Sequence, residues 1–256
     1  MLLLTVIMIS IWPAPVEYPS LGREEVHIWA VPLVATIPQL TSRAAILSSE
    51  ERHRADQFRL DAPRQRFVIT RAALRILLGR YLGLTPADVA IAVDANNKPR
   101  LADGQNASEL RFNVAHSDNL ALVAVTHGSE IGVDVERLRH VRHAEHIARR
   151  YFHPVEIKAI VAAAPGGRDA AFMRCWTGKE AVLKAIGTGI TGSLADFEVS
   201  LDDGKESGTL IDMPETSHGQ FARCWVRRLD VGDEYAAAVA VVGSERDVRC
   251  MAIPAQ

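Results

Sequence analysis

Residues 131–136 carry the sequence Ile-Gly-Val-Asp-Val-Glu, in which apolar and acidic side chains alternate. This alternation predicts a strand that places Ile131, Val133 and Val135 on one face and the two acidic residues on the other. Asp134 and Glu136 would then lie about 7 Å apart on that face, where they repel each other unless a cation lies between them. The stretch therefore predicts a buried strand that carries a candidate metal site.

A second stretch, Trp-Thr-Gly-Lys-Glu-Ala-Val-Leu-Lys at residues 176–184, lies some forty residues further on. Its residues favour a helix, which we expect to span residues 169–186 and to end at Gly187. Glu180 and Lys184 are four residues apart and therefore share one face of that helix. Three carboxylates and one ammonium group are the side chains that an Mg²⁺-dependent site acting on a phosphate requires.

Length and composition are those of an ordinary soluble globular protein. The chain has 256 residues, of which 48% are hydrophobic and 23% are charged. A formal net charge of −2 gives no reason to expect binding to nucleic acid. The three cysteines are widely spaced and form no Cys-x-x-Cys motif, so neither a disulfide framework nor a zinc site is indicated. This cysteine pattern favours a reducing cytoplasm.

The first residues differ from the rest of the chain. Met1–Trp12 is apolar and uncharged, but it is too short to span a bilayer and lacks the basic segment of a secretory signal. We expect residues 1–25 to form an extension outside the fold, and we predict no association with a membrane.

The remaining elements predict an α+β fold made of two similar halves, residues 26–130 and residues 131–250. A faint repeat supports this division, because Asp118–Glu130 and Asp233–Glu245 align without a gap and both end in Gly-Ser-Glu. Two such halves would leave a cleft at their seam, where small-molecule sites tend to lie. One helix is predicted to start at residues 49–52, and further helices to span residues 63–81, 146–152, 154–164 and 169–186. The predicted strands span residues 26–31, 89–93, 110–114, 120–126, 131–136, 197–201, 224–229 and 235–242.

Together the two stretches resemble the signature motifs of the 4′-phosphopantetheinyl transferases. Their separation, the chain length and the internal repeat are similar to the larger, monomeric Sfp-type branch of that superfamily. The resemblance extends to Phe-Asn-Val-Ala-His-Ser at residues 112–117, to Asn-Lys-Pro at residues 97–99 and to the helix that contains Arg64.

This resemblance implies a fold, a reaction and a set of site residues. The fold would be a pseudo-dimer with the active site between its halves, and the enzyme would transfer the phosphopantetheine arm of coenzyme A to a serine of an apo carrier protein. Mg²⁺ would be held by Asp134, Glu136 and Glu180, with Glu180 as the general base and Lys184 offsetting phosphate charge. The resemblance places the coenzyme A phosphates on Arg64, Lys98, His116, Lys179 and Lys184.

Two positions depart from the family pattern. Ala115 replaces a serine that often precedes the histidine, which removes a hydroxyl that could bind the 3′-phosphate. Asn97 replaces the usual glycine before Lys-Pro, and asparagine still tolerates the left-handed turn conformation.

Each of these residues also has a purely structural interpretation. Asp134 and Glu136 could form the solvent face of an edge strand, Glu180 and Lys184 an exposed ion pair, and Arg64 a salt bridge to Asp61. Four histidines between residues 140 and 153 could bind a metal, although their spacing matches no familiar ligand pattern.

Two other functions remain open from the sequence. The same acidic set would serve a different Mg²⁺-dependent phosphoryl or pyrophosphate hydrolase, and the fold could also persist in a non-catalytic module that binds coenzyme A or a carrier protein. The carrier itself, whether from fatty-acid, polyketide, nonribosomal-peptide or lysine biosynthesis, is not specified by these motifs.

Overall fold

The structure is a computed structural model that describes residues 12–94, 98–105, 109–187, 194–200, 208–213 and 223–254. None of its described helices is long and apolar enough to cross a membrane. The predicted turn at residues 202–205 lies outside these ranges, and so do residues 96 and 97 of the predicted turn at residues 96–99.

The N-terminal half begins with a strand and continues through three helices into four further strands. Its elements are β1 (Glu25–Pro32), α1 (Ile37–Ala45), α2 (Ser49–Asp56), α3 (Asp61–Leu82), a 3₁₀ turn (Pro86–Asp88), β2 (Ile91–Val93), β3 (Pro99–Leu101), β4 (Leu110–Ser117) and β5 (Leu120–His127).

The C-terminal half follows the same general order, with a strand that leads into helices and then strands. Its elements are β6 (Ile131–Arg137), α4 (Ala144–Tyr151), α5 (Pro154–Ala162), a 3₁₀ turn (Pro165–Gly167), α6 (Arg168–Ile186), β7 (Thr209–Asp212), β8 (Arg223–Leu229), β9 (Tyr235–Val242) and β10 (Asp247–Ala252).

Two four-stranded sheets pack face to face between outer layers of helices. The first sheet has the order β10-β1-β5-β4 and the second the order β6-β9-β8-β7, while β2 and β3 pair separately. Side chains from both sheets, such as Ile28, Leu122, Val133 and Val239, form one buried cluster between them. The outer face of the first sheet packs against α3 and that of the second against α4, α5 and α6. The predicted α+β class is confirmed.

The boundary between the halves is less simple than the sequence indicated. Strand β10 pairs in parallel with β1, so that residues 247–252 belong to the sheet of the N-terminal half. Val248 and Cys250 pack against the cluster between the sheets, whereas Met251 faces the α3 side. The C-terminal strand thus closes an edge of the first sheet that would otherwise be unpaired.

The expectation that residues 1–25 lie outside the fold is wrong for the part that the structure describes. Trp12 is 7% exposed and packs in the cluster between the two sheets. Its indole N–H donates to the Asp230 carbonyl at 2.8 Å, and the Ala252 N–H donates to the Pro13 carbonyl at 3.1 Å. Burial removes the large apolar surface of the Trp12 side chain from water, and this holds the segment against the sheets.

Other elements differ from prediction for local reasons. Helix α3 begins at Asp61, two residues before Pro63. The elements α1, β3, β7 and β10 have no counterpart among the predicted elements. Residues 197–200, predicted as the start of a strand, form none because side chains take their backbone groups: Lys179 binds the Phe197 carbonyl and Glu156 accepts the Val199 N–H.

Replacing Trp12 tests whether the N-terminal segment is part of the fold. We expect Trp12→Ala to lower the free energy of unfolding by about 3–5 kcal/mol, because it opens a cavity between the sheets. Urea unfolding measures the loss. Val16→Ala is the matched control, since Val16 is fully exposed (102%) and its loss should change stability by less than about 0.5 kcal/mol. Equal stability of Trp12→Ala and wild type would place the segment outside the core after all.

Candidate active site

The site is assembled by an unusually close contact between α6 and β6. A Cβ atom added at Gly132 would lie 2.1 Å from the Ala181 carbonyl oxygen and 2.5 Å from the Ala185 nitrogen. No side chain fits in that space, so only glycine allows the helix to lie directly on the strand. The contact brings the helical turn from Glu180 to Lys184 over the acidic face of β6.

The predicted strand faces are confirmed. Ile131, Val133 and Val135 enter the cluster between the two sheets, and Asp134 points towards α6. The Lys184 ammonium donates to Asp134 Oδ1 at 2.6 Å and to the Val133 carbonyl at 3.3 Å. Lys184 therefore pairs with the strand, and the exposed Glu180–Lys184 ion pair of the structural interpretation is not formed.

Two carboxylate oxygens near this contact are buried without a hydrogen-bond partner in the described part of the chain: Asp134 Oδ2 and Glu180 Oε1. Burial raises the pKa of Asp134, with Lys184 opposing the shift and Glu136 adding to it. Burial also raises the pKa of Glu180, and repulsion from Asp134 raises it further. Oxygen atoms left in this state favour a bound cation or proton.

Glu136 completes the acidic set from the end of β6. Its carboxylate raises the pKa of both Asp134 and Glu180, which shows that the three groups lie within one another's electrostatic field. The Ser117 hydroxyl donates to Glu136 Oε2 at 2.8 Å. The side chains are not already arranged around an ion, since the described residues contain no group of three His, Cys, Asp or Glu positioned to hold a metal.

His116 lies at the rim of this set, on the exposed end of β4. Desolvation lowers the pKa of His116, and the nearby Arg66 and Lys184 cations lower it further, while Glu136 raises it. Arg66 also pairs with Asp118, whose Oδ1 lies 2.8 Å from Arg66 Nη2. Lys184 and Arg66 thus both act electrostatically on His116, and the sequence analysis did not name Arg66.

Arg64, the arginine predicted to bind the nucleotide, points towards Asp61 and not towards His116. Its guanidinium pairs with the exposed Asp61 at 3.1 Å, as the structural interpretation proposed. Residues two apart on a helix point about 200° away from each other, so Arg64 and Arg66 cannot share a face. The signal for Arg66 was present in the sequence, because Ile69 and Ala73 on the sheet-facing side of α3 continue one turn back to residue 66.

Lys98 lies at the other end of the seam. Its ammonium is 3.0 Å from Glu130 Oε2, and Arg111 Nε is 2.9 Å from the other oxygen of the same carboxylate. Glu130 precedes β6 and Glu136 lies near its end, a separation of about 20 Å along an extended strand. The structure does not bring Lys98 to His116, and its role in nucleotide binding stays a prediction.

Lys179 is buried in the core on a different face of α6. Its ammonium donates to the Leu194 and Phe197 carbonyls, both at 2.6 Å, and lies 2.9 Å from Glu156 Oε1. Both side chains of this ion pair are 1% exposed. These contacts occupy the ammonium, so we correct the assignment of Lys179 to the coenzyme A phosphates: its contacts are structural.

Comparisons with known proteins identify the family. A family model described as the 4′-phosphopantetheinyl transferase superfamily matches residues 130–240, and one described as the N-terminal part of a 4′-phosphopantetheinyl transferase matches residues 35–128. The chain is 39% identical over 225 residues to the 4′-phosphopantetheinyl transferase HetI of Nostoc sp., which covers 88% of this chain and 90% of that protein. The chain belongs to the 4′-phosphopantetheinyl transferase superfamily.

More distant members of the superfamily match over most of their length too. A 4′-phosphopantetheinyl transferase of Bacillus subtilis is 29% identical over 196 residues, and Sfp of Bacillus subtilis is 26% identical over 196 residues. Each alignment covers 76% of this chain and 82% of the relative. The predicted resemblance to this superfamily, including its Sfp-type members, is confirmed.

The contact at Gly132 gives a test of how this phosphopantetheinyl transferase builds its site. We expect Gly132→Ala to cost about 1–3 kcal/mol of stability, because α6 must move away from β6, and to lower activity by separating Lys184 from Asp134. Urea unfolding and a transferase assay measure the two effects. Gly166→Ala is the control, since nothing lies within 4 Å of its added Cβ. Wild-type values for Gly132→Ala would contradict the close contact.

Proposed function

We propose that this chain transfers the 4′-phosphopantetheine arm of coenzyme A to a serine hydroxyl of an apo carrier protein and releases 3′,5′-ADP. The names of its relatives support the reaction. The observation that carries the proposal is the pair of buried, unpartnered oxygens on Asp134 and Glu180 beside the Lys184 ammonium. An acidic set with one neighbouring ammonium group suits a substrate whose pyrophosphate arrives together with a divalent ion.

Asp134, Glu136 and Glu180 would hold Mg²⁺ in this proposal. The fit rests on hard carboxylate oxygens, two of which lack a partner in the described structure, and on carboxyl groups whose pKa values are raised by burial and mutual repulsion. When bound, the ion would neutralise charge on the pyrophosphate and on the leaving 3′,5′-ADP.

Glu180 is the proposed general base. A serine hydroxyl is a poor nucleophile at neutral pH, and its proton must pass to a nearby group during attack on the β-phosphorus. Glu180 Oε1 has no hydrogen-bond partner among the described residues, so it is available to accept that proton. The proton would move from the serine oxygen to a Glu180 oxygen.

Lys184 serves two partners in turn. Without substrate, its ammonium offsets the charge of Asp134 from a distance of 2.6 Å. With coenzyme A bound, the same ammonium would lie beside the phosphates and stabilise the negative charge that develops on the leaving group.

His116 and Arg66 are the proposed contacts for the nucleotide phosphates. His116 lies at the exposed end of β4, and its pKa is lowered first by desolvation and then by the nearby Arg66 cation. Arginine can bind a phosphate through two hydrogen bonds, which would compensate for the serine hydroxyl that Ala115 lacks. Lys98 remains a predicted contact at the far end of the seam.

One experiment separates the three candidate functions. The protein is incubated with coenzyme A and Mg²⁺, with and without an apo carrier protein, and the carrier mass and coenzyme A are measured. A transferase adds the arm to the carrier, a hydrolase consumes coenzyme A without carrier, and a binding module does neither. The class of carrier served, the predicted monomeric state and the predicted cytoplasmic location stay predictions.

Glu180→Gln tests the base. Gln keeps the size of the side chain but loses its charge and nearly all its basicity, so transfer should fall by roughly 10²- to 10⁴-fold. A high Mg²⁺ concentration should restore occupancy of the metal site but not the lost base. Thermal stability should stay near that of the wild type. The control is Glu50→Gln on the exposed face of α2, which should keep full activity. Complete rescue by Mg²⁺ would leave Glu180 as a ligand only.

A second variant pair distinguishes Arg66 from Arg64. Arg66→Ala should raise the KM for coenzyme A by roughly 10- to 100-fold, the value of one or two hydrogen bonds to a charged group. Arg64→Ala should change KM less than about twofold, because among the described residues the Arg64 guanidinium pairs with the exposed Asp61. Steady-state kinetics at saturating carrier measures both. The opposite order of effects would restore the original assignment to Arg64.

A further inference from the structure

The two halves meet along a seam between β4 and β6 that is not a backbone ladder. Each strand lies at the edge of its own sheet, and the two sheets are separate. Side chains on β4 satisfy backbone groups on β6 instead: Asn113 Oδ1 accepts the Val133 N–H at 2.9 Å, and Ser117 Oγ accepts the Arg137 N–H at 3.1 Å. The contacts are four residues apart on both strands, so they hold β4 and β6 in parallel register.

Ser117 differs from Asn113 because it also contacts Glu136, one of the three acidic residues of the candidate site. Its hydroxyl donates to Glu136 Oε2 at 2.8 Å while its oxygen accepts the Arg137 N–H. The Arg137 N–H fixes which way the hydroxyl oxygen faces, so the hydroxyl hydrogen is directed at the carboxylate. Ser117 thus ties the orientation of Glu136 to the backbone of its own strand.

The orientation of the Glu136 side chain depends on its hydrogen bond with Ser117. Asp134 is held by the Lys184 ammonium, and Glu180 is half-buried on α6. Among the described residues no lysine or arginine forms an ion pair with Glu136, which lies near the end of β6 on a side chain with three rotatable bonds. A glutamate in that position loses rotamer freedom when a cation binds, unless a neighbour has already fixed it.

We propose that Ser117 is a positioning residue that holds Glu136 ready to bind the divalent ion. The inference rests on the proposed role of Glu136 in metal binding. Hydrogen-bond partners of metal ligands typically contribute 10- to 100-fold to metal affinity, because they orient the ligand and restrict its motion.

The test measures Mn²⁺ binding directly, by the electron paramagnetic resonance signal of the free ion, with the same concentration of coenzyme A throughout and no carrier. Ser117→Ala should bind Mn²⁺ about 10-fold or more weakly than wild type. Ser117→Thr keeps the hydroxyl and should stay within about threefold of wild type. Ser117→Cys keeps the size but offers only a weak donor, so it should behave like Ser117→Ala, and it replaces that variant if alanine prevents folding.

Two further variants separate positioning from stability. Ser129→Ala removes a serine that accepts a hydrogen bond from Arg246 at 2.9 Å, before β6 begins, and it should bind Mn²⁺ like wild type. Asn113→Ala removes the other seam contact and should lower the melting temperature by several degrees, because it leaves the buried Val133 N–H unpaired, with less than about threefold change in Mn²⁺ affinity.

The outcomes are distinguishable. Wild-type Mn²⁺ affinity in Ser117→Ala, together with weakened affinity in Glu136→Gln, would overturn the role of Ser117 and leave the proposed function intact. Equal losses in Ser117→Ala and Asn113→Ala would also overturn it, because docking of the halves alone would then explain the effect. Transfer of the arm by the wild-type enzyme without any divalent ion would instead overturn the proposed metal chemistry.

Discussion

The candidate active site of this phosphopantetheinyl transferase depends on the contact between α6 and β6 at Gly132. Because Gly132 has no Cβ, the helix lies close enough to the strand for Lys184 to reach Asp134 and for Glu180 to face the same acidic strand. Side chains of ordinary size at that position would hold the helix further from the sheet and separate these groups. Ala181 and Ala185, small residues on the same helical face, keep the approach possible.

The charges that result are balanced only in part. Lys184 offsets Asp134, but buried oxygens on Asp134 and Glu180 have no partner in the described structure, and the carboxyl pKa values are raised accordingly. Such an arrangement costs stability in the free protein, since burying unpaired polar atoms is unfavourable. A cation that approached these oxygens would offset that cost.

A second ion pair on α6 has the opposite character. Lys179 and Glu156 are both fully buried, and every direction of the ammonium is taken by a carboxylate or a backbone carbonyl. This pair fixes the segment at residues 194–200 against the helix and takes no part in the acidic pocket. Adjacent lysine and glutamate in one motif thus have different tasks, because consecutive helical residues point about 100° apart.

Much of the fold and the acidic set was predictable from the sequence. The alternation at residues 131–136 determined the faces of β6, and the spacing of Glu180 and Lys184 determined that they share a face of α6, because side-chain periodicity is a local property. The family resemblance then joined the two motifs. The boundaries of α5 and α6 followed from proline, glycine and apolar periodicity to within about two residues.

Only the tertiary structure decided which partner each side chain meets. Lys184 binds Asp134 across fifty residues, Ser117 binds Glu136 across the seam, and Trp12 reaches the space between the sheets. That Arg66 contacts Asp118 near His116 while Arg64 contacts Asp61 likewise depends on where α3 packs on its sheet. Periodicity determines the face on which a side chain lies, but the neighbour opposite that face is set by how distant elements pack, and that depends on the whole chain.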